Sequence, residues 1–159
     1  MSPRTLDHVA VWLSDRDRVA DFVVRHLGMH VIERTDRFTL VGSDARRGKL
    51  TLFAADPPRE RGALEHVALR VSSLARAARA LPPGLDTTSS DEGELLFDVA
   101  EGFQLGLVEA PTAVEYDLDH VALRSASPDE TAGAYLRLGF ESAAPARPVC
   151  RASRSTEPT

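Results

Sequence analysis

One cysteine, Cys150, is all the chain carries, so no intrachain disulfide can form and nothing calls for an oxidising compartment. A run of about 18 apolar residues is missing everywhere, and charges are spread through the first thirty positions, where a leader would be apolar. These absences point to a soluble, cytoplasmic chain with no membrane partner. A basic excess is missing as well. The formal net charge is -5 and the isoelectric point about 5.5, and Arg16, Arg18, Arg25, Arg34 and Arg37 alternate with Asp15, Asp17, Asp21 and Asp36. Binding to phosphate backbones needs a basic stripe, so nucleic acid drops out as a partner. There is no Ser-His-Asp order, no glycine-rich phosphate loop and no Cys-x-x-Cys pair, which leaves nucleophilic hydrolases, nucleotide binders and zinc ribbons without support. With 43% hydrophobic residues over 159 positions, enough remains for one domain with a real core.

What is present is a repeat. Asp7-His8-Val9-Ala10-Val11-Trp12-Leu13, Glu65-His66-Val67-Ala68-Leu69-Arg70-Val71 and Asp119-His120-Val121-Ala122-Leu123-Arg124-Ser125 are near-copies, spaced by 58 and then 54 residues. A period of this size marks a repeated supersecondary unit. Each copy is short, alternating and β-branched, hence a strand with different chemistry on its two faces. Val9, Val11 and Leu13 share the core face, and His8, Ala10 and Trp12 share the other. The same parity places His66 and His120 on the non-core faces of their strands.

Each repeat opens a larger unit. In the first, Ser14 is expected to cap a helix over residues 16 to 27, whose apolar stripe is Val19, Phe22, Val23 and Leu27. Gly28 then stops that helix in the left-handed region. Strands are expected over 29–34, 37–41 and 49–54, giving β-α-β-β-β. The second unit follows with a helix over 73–81, ended at Pro82-Pro83-Gly84, and strands over 85–88, 94–98 and 103–109. In the third, Ser127, Pro128 and Glu130 set up a capped helix that ends at Leu138-Gly139. From residue 143 the chain is small-residue, Pro- and Arg-containing, with no alternation, and a disordered tail is expected. The organisation expected is thus a pair of units at 5–54 and 64–109 within residues 1–112, the start of an incomplete third over 113–142, and the tail over 143–159. A complete third unit would need about three more strands, in keeping with the start of a longer, four-unit protein.

Two β-α-β-β-β units in tandem, with a histidine near the start of each first strand, resemble the vicinal-oxygen-chelate superfamily of glyoxalases, bleomycin-resistance proteins and extradiol dioxygenases. Leu27-Gly28-Met29 and Val99-Ala100-Glu101-Gly102-Phe103 are similar to turn signals of that family. The resemblance implies an α+β fold in which tandem modules form a cupped mixed sheet with helices outside. It also implies a divalent metal, iron, manganese or zinc, that chelates adjacent oxygens of a small-molecule ligand. The family's ligand positions fall on His8, Thr51, His66 and Gly106, of which only the two histidines can bind a metal well. Glu109, Glu65 and Asp7 fall on the opposite strand faces. Two imidazoles and a carboxylate suit iron(II), so the acid is the missing piece.

His120 enters as a third candidate ligand, because four-unit ring-cleaving dioxygenases carry their metal in the second pair of units. His8 and His66 either bind metal or make ordinary contacts in a pocket, and His26 and His30 read as surface or helix-end residues. Trp12, Phe53, Arg70 and Gln104 are the candidate small-molecule contacts, an aromatic wall and a cation for a planar ligand. Three functions follow from the resemblance. The first is a dioxygenase-like metalloenzyme, of which this chain is the N-terminal part and inactive. The second is a metal-free binder of aromatic or drug-like compounds, alone or as a homodimer. The third is a glyoxalase-like isomerase, ranked last because its basic Glu is absent.

Overall fold

The computed structural model describes residues 6–57, 59–60, 62–100 and 102–143. The chain runs β1 (His8–Leu13), α1 (Arg16–His26), β2 (His30–Arg34), β3 (Phe38–Gly42), β4 (Lys49–Ala54), β5 (Leu64–Val71), α2 (Leu74–Ala80), β6 (Thr87–Ser89), β7 (Leu95–Ala100), β8 (Phe103–Glu109), β9 (Asp117–Leu123) and α3 (Pro128–Arg137). This is the α+β class, with two complete β-α-β-β-β units. Their strands form two mixed sheets, one ordered β1-β4-β3-β2 and the other β6-β7-β8-β5-β9. The expected tail from 144 onward lies outside the described residues.

The alternation of the first strands is realised as burial. Val11 and Leu13 are buried while His8, Ala10 and Trp12 are exposed. On β5, Val67, Leu69 and Val71 are fully buried. They join Leu50, Leu52, Leu105, Leu107, Phe97 and Phe103 in one core. Helix α1 buries Val19, Ala20 and Val23, and Phe22 meets Phe97 of the second unit with ring centroids 5.9 Å apart. The first helix therefore packs on both sheets. Gly28 has φ +62, the left-handed stop expected at that position.

The cap of α1 differs from the sequence reading. Asp15, not Ser14, accepts the backbone N–H of Arg18. Either side chain can cap, and Asp15 does so because it directly precedes the first helical residue, Arg16.

The third repeat does not start a new sheet. Strand β9 adds antiparallel to the outer edge of β5, with His66 opposite Ala122 and Ala68 opposite His120. Its N-terminal end is tied to the first unit: the Ser43 hydroxyl donates to the Tyr116 carbonyl at 2.7 Å, and the Gly48 N–H donates to Asp117 Oδ1 at 3.1 Å. Helix α3 follows and buries no residue.

Candidate metal centre

On the second sheet, His66, Glu94 and His120 each offer a ligand atom, and these atoms lie within 4.8 Å of one another. The local structure explains each position. His66 stands on the non-core face of β5 and is 9% exposed. His120 reaches the same face because β9 pairs antiparallel beside it, and the two imidazoles meet edge-on with centroids 5.6 Å apart. Glu94 precedes β7 and is fixed by a tight turn: its N–H donates to Ser90 Oγ at 3.1 Å, and the Ser90 N–H donates to its carbonyl at 2.9 Å.

Strand β8 lies between β7 and β5, so the Glu94 carboxylate must pass over it. On β8, Gly106 leaves open the space beside the His66 ring. A Cβ there would come 3.3 Å from His66 Cδ2 and 3.0 Å from Leu96 Cδ2. The position that carries no acid is thus the space in which the His66 ring lies.

The buried carboxylate joins the two imidazoles. Oε2 is 3.1 Å from His66 Nε2, and Oε1 is 3.0 Å from His120 Nε2. Ligand bonds of about 2.1 Å set at right angles leave donors about 3 Å apart, so both spacings suit neighbouring ligands of one cation. The His66 Nε2 atom is buried and makes no hydrogen bond among the described residues, although Glu94 is close by. A donor set of two imidazole nitrogens and one carboxylate, with His66 and Glu94 buried and His120 part-exposed, fits a divalent transition metal.

Around the three stands a supporting layer. Asp119 Oδ2 lies 2.8 Å from His120 Nδ1, while Oδ1 accepts from Arg70 Nε at 2.8 Å and forms an ion pair with Nη2 at 2.8 Å. Burial works to raise the Asp119 carboxyl, but the hydrogen bonds from His120 and Arg70 outweigh it and hold the group below the ordinary carboxylate range.

The remaining sequence candidates divide between the sheets. Arg70 is on β5, two residues along from Ala68 on the His66 face, and Gln104 is on β8, 3.4 Å from Asp98. Trp12 and Phe53 are on the first sheet, stacked at 4.8 Å with planes 24° apart, and the Arg59 guanidinium lies 3.7 Å from the Trp12 centroid. Trp12 and Arg59 line a cavity of about 680 Å³ with Leu64 and Phe103. His8 belongs to that first sheet too, with its Nδ1 2.8 Å from Asp7, and is not in the three-residue cluster. Lys49 holds Asp7 at 3.0 and 3.1 Å, and the His8 hydrogen bond followed by that of Lys49 lowers the Asp7 carboxyl. His26 sits at the end of α1 against the Ala80 carbonyl.

Glu94 is the member of the cluster that the sequence does not point to. Strand parity bears on the acids of the histidine-bearing and last strands, whereas Glu94 lies in the turn before β7, one strand further along the sheet. A glycine inside a strand was its only trace, since such a glycine often marks a close approach.

Comparison with known families matches residues 5–82 to the Glyoxalase/Bleomycin resistance protein/Dioxygenase superfamily. Residues 5–82 form a domain of this superfamily. A comparison with curated protein sequences finds no match. Among solved structures of this superfamily's fold, a glyoxalase I mutant from Zea mays aligns with a TM-score of 0.66 at 14% identity, over 80% of this chain and 53% of its own. A putative dioxygenase from Bacillus subtilis aligns at 0.63 and 16% identity, over 83% of this chain and 53% of its own. This chain therefore spans about half the length of both. A fosfomycin resistance protein from Listeria monocytogenes aligns at 0.53 and 13% identity, over 67% of this chain and 92% of its own. At these identities the likeness extends to the superfamily fold alone. No helix among the described residues is long and apolar enough to cross a membrane.

Proposed function

We propose that the chain is a divalent-metal protein in which His66, Glu94 and His120 hold iron(II) or manganese(II), acting on a small molecule with two adjacent oxygens. The reaction class is that of ring-cleaving dioxygenases. The observation that carries this reading is the cluster itself, two imidazoles and one carboxylate within 4.8 Å. That donor set is the one used by non-haem iron oxygenases, and it leaves coordination positions open. When bound, the ion supplies polarisation of the substrate oxygens and a place for dioxygen.

The chain's own groups do the rest. Glu94 contributes the single negative charge of the set, and burial of His66 and Glu94 keeps water away from one side. Arg70 and Gln104 sit on the same sheet and contribute polar contacts at its open face. Zinc remains an alternative occupant, since three protein ligands with an open fourth position also describe catalytic zinc sites.

The test is elemental analysis and metal titration of the full chain and its variants. About one ion per chain is expected for the wild type and for His8→Ala, with loss of binding in His66→Ala, Glu94→Ala and His120→Ala. Oxygen uptake with catechol as the probe then tests the reaction class. A wild-type protein that takes up no iron, manganese or zinc at stoichiometric level would sink the reading.

A second reading rests on a separate observation, the Trp12–Phe53 stack with Arg59 over it. It makes the first sheet a metal-independent shelf for planar or cationic small molecules. A rise in thermal midpoint of the metal-free protein with aromatic or cationic compounds, lost in Trp12→Ala, supports it; no shift across such a panel counts against it.

A further inference from the structure

His120 stands between two carboxylates, one at each ring nitrogen. Glu94 Oε1 is 3.0 Å from its Nε2, and Asp119 Oδ2 is 2.8 Å from its Nδ1. A neutral imidazole carries a single N–H, and only the nitrogen without it can ligate a metal. Which carboxylate receives the hydrogen bond therefore decides whether Nε2 is a donor to Glu94 or a free lone pair.

The geometry favours Asp119. Arg70, from the neighbouring strand, holds Oδ1, donating from Nε at 2.8 Å with Nη2 at ion-pair distance, 2.8 Å, and Oδ2 faces His120. The Glu94 carboxylate faces His120 at a longer 3.0 Å through Oε1, and its Oε2 faces the His66 imidazole where Asp119 has a cation. A related arrangement recurs on the other sheet, where the acid preceding His8 meets its Nδ1 at 2.8 Å and is itself held by Lys49. The acid-histidine pair of the repeat thus orients its imidazole in both places, with a cation from an adjacent strand fixing the acid.

We propose that Asp119, anchored by Arg70, is a positioning residue: it accepts the Nδ1–H of His120 and so presents Nε2 as a lone pair beside Glu94. The inference rests on the metal reading for its purpose, but its central claim, the tautomer, belongs to the metal-free chain. Because Arg70 holds one oxygen, the isosteric change Asp119→Asn has a definite consequence. The amide oxygen stays with Arg70, the amide NH₂ faces Nδ1, and the His120 proton is driven to Nε2.

The experiment is long-range proton–nitrogen correlation NMR of the metal-free full chain, with His120→Ala used to assign the ring signals among the five histidines. Wild-type His120 is expected to be protonated on Nδ1, and Asp119→Asn on Nε2, with the thermal midpoint and the β9 amide signals retained. Titration with Zn²⁺ as the probe should then show about a 10–100-fold weaker affinity for Asp119→Asn, the scale typical of lost outer-layer partners. A wild-type ring already protonated on Nε2, or a tautomer unmoved by Asp119→Asn, overturns the assignment. So does a tautomer that inverts while the Zn²⁺ affinity stays the same. If the tautomer inverts as expected but no variant or wild type binds metal, the positioning role stands and the metal reading fails.

Discussion

At the scale of single residues, Gly106 decides more than any charged group. Its missing side chain gives the His66 ring room over β8, so Gly106→Ala places a methyl 3.3 Å from that ring and 3.0 Å from Leu96. Overpacking of this kind is expected to cost about 1–3 kcal/mol in stability. It should also weaken metal binding by tilting His66, which denaturant unfolding and metal titration of the same sample would show together. Strand parity makes two of the three cluster residues legible. The alternation of valine and alanine places His66 and His120 on non-core faces, and the structure puts them there. Glu94 was not legible, because residue order says nothing about which strands become neighbours. The order β7-β8-β5 sets an acid two strands away from the histidine it serves.

At the scale of elements, the docking of β9 turns on the loop before β4. Gly48 has φ +62, and a Cβ there would come 2.5 Å from the Tyr116 carbonyl and 2.2 Å from Ser43 Oγ. Gly48→Ala is therefore expected to lift the start of β9, and hydrogen exchange should quicken over residues 117–123 before it does in β5 or β8. The start of α2 supplies a pH-dependent contact. Ser72 bonds hold the Glu115 carboxyl below its ordinary value near 4.5, against a smaller opposing effect of burial. A carboxyl depressed in the folded state adds stability above its unfolded value and loses it as pH falls through the folded one. Stability of the wild type should thus decline below about pH 4.5 more than that of Glu115→Gln, a difference readable in urea midpoints. The boundaries of most elements followed from caps, glycines and β-branched runs, as at β4 and β8. The cap of α3 did not, for Ser127 makes no side-chain capping bond, and Ser125 instead accepts its N–H and meets Thr131.

At the scale of the whole molecule, the repeats alone did not reveal that the chain would divide its strands between two sheets. The near-identity of the three first strands leaves open which of them meet. Pairing is settled by contacts remote in sequence, such as Arg70 with Asp119 and Gly48 with Asp117. Helix α3 is the lightly held element. Leu136, Leu138 and Phe140 are exposed at 48%, 70% and 46%, and α3 buries nothing, whereas α1 buries Val19 and Val23 completely. Amides of α3 are accordingly expected to exchange by local opening, orders of magnitude faster than those of α1. Equal protection of the two helices would show that α3 has a cover in solution.

The proposed ligands are split between inner strands and the outermost one, which gives the centre a mechanical meaning. A cation held by His66, Glu94 and His120 would be a rivet through the edge of the sheet. By reciprocity, whatever docked β9 adds to the affinity for the ion, the ion returns to the docking of β9. At a free concentration one hundred times its dissociation constant, an ion that requires the docked strand holds it by about 2.7 kcal/mol. Scarcity of metal would then be felt first as fraying of a strand, with the core left whole.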